Sequence, residues 1–117
     1  MPHNAQDLLD DIVSSVRLIQ SYADGKTFAD FTATTLLRDA IERPLITLGE
    51  ARVRLKANDA DMFKLIPDAR SYIGFKNILV HQYDGLDAEI VWNTVEKELP
   101  LLREHVEALV KPPTISN

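Results

Sequence analysis

The sequence predicts an all-α protein, a bundle of four to five helices. Three observations carry that prediction. Apolar residues recur at intervals of three and four along most of the 117-residue chain, the pattern of helices that bury one face. Asp24-Gly25 and Asp84-Gly85 punctuate that pattern as turns. No segment shows the sustained period-two alternation, bounded by hairpin turns, that a strand would need.

The first helix runs from about Gln6 to Tyr22, where Leu9, Ile12, Val13, Val16 and Ile19 share a face, and Asp24-Gly25 ends it. Thr27 caps a long second helix reaching about Lys56. Its apolar positions include Phe28, Phe31, Leu36, Leu37, Ala40, Ile41, Leu45, Leu48, Ala51 and Leu55. Pro44 lies inside it, lacks an amide donor and crowds the carbonyl four residues earlier, so a kink or short break is expected there. Asn58-Asp59-Ala60-Asp61 reads as a turn with a short helical piece before Pro67. A third main helix is capped by Asp68 and reaches about Gln82. Asp87 caps the last, whose apolar line is Ile90, Val91, Val95, Leu99, Leu102, Val106, Leu109 and Val110, with Pro100 as a second kink.

Length fits one compact domain over residues 1–117, with a loose tail from about residue 112. An apolar content of 45% and a charged content of 26% are ordinary for a folded globular protein. There is no cysteine, so no disulfide framework or thiolate metal site is available, and His3 and His105 lack a partner histidine at ligand spacing; no metal or cofactor is expected. The N-terminal residues show no signal-peptide pattern and no stretch is long enough to span a bilayer, so a cytoplasmic location is expected, without a membrane partner. A formal charge of −5 excludes nucleic-acid binding through a general basic surface, because phosphates need many facing cations. The basic run Arg38, Arg43, Arg52, Arg54 and Lys56 is interleaved with Glu42 and Glu50 and reads as a solvated helix face.

The stretch GFKNILVHQYDG, residues 74–85, is different. It would be a plain buried helix but for Lys76, Asn77, His81 and Tyr83. Gly74, Asn77 and His81 form a narrow stripe at i, i+3, i+7, where a neighbouring backbone or partner helix could come close. Lys76 lies about 140° from His81 around an ideal helix, so any joint role needs one of three things. Its stem curls round the helix, the helix ends early, or the cation meets a histidine from a second subunit across a two-fold axis. Spacing alone favours a hydrogen-bonded histidine near a helix end and a lysine reaching for water. The catalytic alternative is coherent too. Histidine moves protons near neutral pH and a fixed cation stabilises charge developing at phosphorus, which together allow metal-free RNA cleavage with the 2′-hydroxyl as nucleophile. Trp92, with no second aromatic at suitable sequence spacing to make a base-stacking platform, reads as a core or dimer anchor.

The spacing KNILVHQY, together with Asp11-Ile12, Tyr22-Ala23-Asp24-Gly25, Phe31 and Leu48-Gly49-Glu50-Ala51, resembles the HepT-like (DUF86) family of minimal HEPN proteins. That resemblance covers most of the chain. It implies a HEPN-type bundle that forms a symmetric homodimer, and a metal-independent endoribonuclease acting as the toxin of a toxin-antitoxin pair. It also implies a minimal nucleotidyltransferase antitoxin that transfers AMP to the motif tyrosine. By position, His81 would be the catalytic acid/base, Asn77 a supporting polar residue and Tyr83 the AMPylated hydroxyl, with RNA as substrate. Glu50 and Arg38 are candidate supporting residues. Lys76 stands where the family has arginine, and a mobile point charge replaces a planar fork that holds two phosphate oxygens. The alternative is therefore a catalytically inactive HEPN module that binds its nucleotidyltransferase partner.

Overall fold

The computed structural model describes residues 4–66 and 88–110, and every described element is helical. Helix α1 (Ala5–Ala23) begins where the Asn4 side chain accepts the Asp7 amide at 2.8 Å, satisfying one of the free donors of the first turn. Gly25, at φ +73°, takes the left-handed conformation that turns the chain after it. Leu8, Leu9, Ile12, Val16 and Ile19 are all fully buried, each removing an apolar side chain from water at roughly 1.5–3 kcal/mol.

The predicted long second helix is two. Helix α2 (Phe28–Ala33) is capped by Thr27 in a reciprocal box: Thr27 accepts the Asp30 amide at 3.1 Å, and the Asp30 carboxylate accepts the Thr27 amide at 2.9 Å. It stops at Thr34, which leaves the helical region at φ −117°, and helix α3 (Thr35–Asn58) then runs unbroken through Pro44. The break expected at Pro44 thus falls ten residues earlier. The apolar line explains it: after Phe31 the next core positions of one continuous helix, 34 and 35, are β-branched threonines, which favour extended backbone and have nothing apolar to bury.

Helix α3 buries the line Ile41, Leu45, Leu48, Arg52 and Leu55 against α1. Leu36, placed with the apolar positions by its sequence spacing, lies about 140° from that line and is 78% exposed. The short helical piece expected before Pro67 is α4 (Ala60–Lys64); Asp59 caps it by accepting the Met62 amide at 3.0 Å, and Phe63 carries α4 onto α3.

Residues 88–109 form the last helical course: α5 (Ala88–Asn93), a π-helical turn (Thr94–Glu98) and α6 (Leu99–Leu109). The irregularity expected at Pro100 is that π turn, closed by the Leu99 amide bonding to the Thr94 carbonyl. Widening the helix just before Pro100 relieves the clash between its ring and the carbonyl four residues back. Val91, Trp92, Val95, Leu99, Leu102 and Val106 face the core, whereas Ile90, grouped with them by sequence, is on the far side and half exposed. Helix α6 packs on α1, and α5 packs on α2, where the Trp92 and Phe31 rings stand 5.3 Å apart at a 32° tilt. Trp92 is a core residue. None of the described helices is long and apolar enough to cross a membrane. The predicted third helix, its cap Asp68, the cap Asp87 and the tail from residue 112 lie outside the described residues.

Candidate functional site

Helix α3 is the described element that carries sequence-predicted site residues. Arg38 sits one turn into it, half-buried, with Nη2 donating to Thr35 Oγ1 at 3.3 Å. Glu50 is exposed further along. Twelve residues separate them, which is about 18 Å of rise and about 120° of rotation, so the two neither touch nor share a face. Lys76, Asn77, His81 and Tyr83 lie outside the described residues.

Glu50 belongs to a groove of about 420 Å³ along the outer side of α3, with Asp39, Glu42, Arg43, Ile46 and Thr47. Partial burial raises the Glu42 carboxyl above its ordinary range, Asp39 pushes it the same way, and Arg38 opposes them. The described lining thus brings three carboxylates against one guanidinium, an environment that repels a phosphodiester backbone. Among the described residues no group of three or more His, Cys, Asp or Glu side chains could hold a metal ion. His105 is exposed, with Nδ1 2.8 Å from the Leu101 carbonyl of its own helix.

Arg52 corrects the reading of the basic stretch as one solvated face. Its side chain is wholly buried, with the guanidinium carbon 5.5 Å from the centre of the Phe63 ring; Lys56 Nζ approaches the same ring at 5.8 Å. An arginine keeps its charge at that depth, and the negative face of the ring offsets part of the cost of taking it from water. The signal was present in the sequence: positions 41, 45, 48, 52 and 55 form one line, and the only charged residue on it is Arg52.

At the other side of the bundle, Glu107 on α6 accepts from Arg17 of α1 at 2.8 Å and from Arg103 at 3.2 Å, while Arg103 also donates to Gln20 at 2.7 Å. These bonds hold the Glu107 carboxyl below its ordinary range, the one from Arg17 most, and tie α1 to α6. This cluster is a clamp between two core helices.

An all-α bundle with a histidine-tyrosine motif in its sequence defines the class, a compact helical domain of the HEPN type. The more particular assignment follows from comparison: the family described as Ribonuclease HepT-like matches residues 12–109, and the chain belongs to that family. It is 29% identical over 111 residues to "Probable ribonuclease HepT" of Thermococcus cleftensis, covering 95% of this chain and all of that protein. It is 32% identical over 98 residues to "Gamma-glutamylcyclotransferase and putative RNase MJ0434" of Methanocaldococcus jannaschii. That second match takes in 84% of this chain and 44% of the relative, so the chain spans less than half of that protein. No solved structure matches significantly.

Proposed function

We propose that this protein is a metal-independent endoribonuclease, the toxin of a toxin-antitoxin pair whose other member is a minimal nucleotidyltransferase. The observation that carries the proposal is the family match over residues 12–109, a span that includes residues 76–83, where the sequence reads KNILVHQY. In this scheme His81 takes the proton from the attacking 2′-hydroxyl and returns one to the leaving 5′-oxygen, so that a 2′,3′-cyclic phosphate and a free 5′-hydroxyl result. Lys76 stabilises the charge gathering on the phosphoryl oxygens and Asn77 hydrogen-bonds to the substrate. Two copies of the chain form the active unit, with both motifs facing one cleft. The nucleotidyltransferase transfers AMP from ATP to the Tyr83 hydroxyl, releasing pyrophosphate, and the added phosphodiester and adenosine block RNA entry. The net-acidic groove along α3 supports a small, local cationic site over a broad basic surface.

Lysine at position 76 favours a second reading, a HEPN module that has lost cleavage and retains binding to the nucleotidyltransferase. Expression in cells separates the two. Growth arrest that His81→Ala abolishes while the variant still folds, and that co-expressed nucleotidyltransferase relieves through an AMP adduct on Tyr83, supports the toxin; harmless expression of the unmodified protein supports the binding module.

A further inference from the structure

We draw no further inference here: the strongest candidate, the mainly apolar groove of about 490 Å³ at the corner of α1, α2 and α3, bordered by Tyr22, Lys26, Asp30, Thr34 and Leu36, carries nothing because nothing in the structure shows what covers it.

Discussion

The Arg52 guanidinium stands 5.5 Å from the centre of the Phe63 ring, in a side chain with no exposed surface. The pair joins α3 to α4 and buries a permanent charge where aliphatic neighbours would be cheaper. Arg52→Ala should lower unfolding free energy by roughly 3 kcal/mol, through lost packing and lost cation contacts. Arg52→Met, which restores most of the volume, should recover part of that. Urea denaturation measures both; a change below about 0.5 kcal/mol for the alanine variant, the level of an ordinary surface substitution, would show that the side chain contributes little.

The Phe31–Trp92 contact pins α2 to α5, and α2 is only six residues long. Phe31→Ala should cost about 3–5 kcal/mol, the usual range for emptying a buried aromatic site. Thr27→Ala, which removes one half of the capping box, should cost about 1 kcal/mol. Chemical denaturation of the two variants should rank them in that order.

Acid should loosen the α1–α6 clamp. Arg17 and Arg103 hold the folded-state Glu107 carboxyl below 4.5, its ordinary value. A depressed carboxyl contributes stability that is present above its unfolded pKa and disappears as pH falls through the folded one, so the loss belongs below about pH 4.5. Asp30 in the capping box behaves likewise, held down by the Thr27 amide and hydroxyl. Melting temperatures scanned from pH 6 to pH 3 should fall less steeply in Glu107→Gln than in the wild type; equal slopes would remove Glu107 from the account.

Glu42 has the opposite sign. Its carboxyl is raised by partial burial and by Asp39, so the folded protein favours the protonated form and stability declines as pH rises from the unfolded to the folded pKa. Glu42→Gln should therefore raise the melting temperature at pH 7, by a modest amount because water reaches the group, and should leave it unchanged below pH 4. A less stable glutamine variant at neutral pH would contradict this.

How much of the bundle could be read in advance depended on the kind of signal. The extent of α1, the Thr27 cap, the turn at Gly25 and the short helical piece after residues 58–61 were legible because each is fixed by local chemistry: apolar spacing, a hydroxyl acceptor, turn-forming residues, a positive φ. The split at Thr34 was missed because Pro44 is the stronger sequence breaker, yet a buried proline is tolerated where packing holds the helix on both sides, whereas two threonines in core positions offer no packing at all. Leu36 and Ile90 satisfy a loose three-and-four spacing without lying on the core line, which only the phase of neighbouring residues reveals. Of the candidate site, the sequence supplied the motif through residue type and spacing. The separation of Arg38 from Glu50 needed the helical geometry, and the burial of Arg52 was visible only by treating a charged residue as a member of an apolar line.

The measurement that bears most directly on the central claim is cleavage of total cellular RNA in EDTA by purified protein whose mass shows Tyr83 unmodified, beside His81→Ala and Lys76→Arg. Metal-independent cleavage by the wild type, absent in the alanine variant and stronger in the arginine variant, is the predicted result, since the planar guanidinium can grip two phosphate oxygens where the ammonium meets them one at a time. RNA left intact by all three proteins, each shown to be folded, would contradict the ribonuclease assignment and leave a binding module in its place.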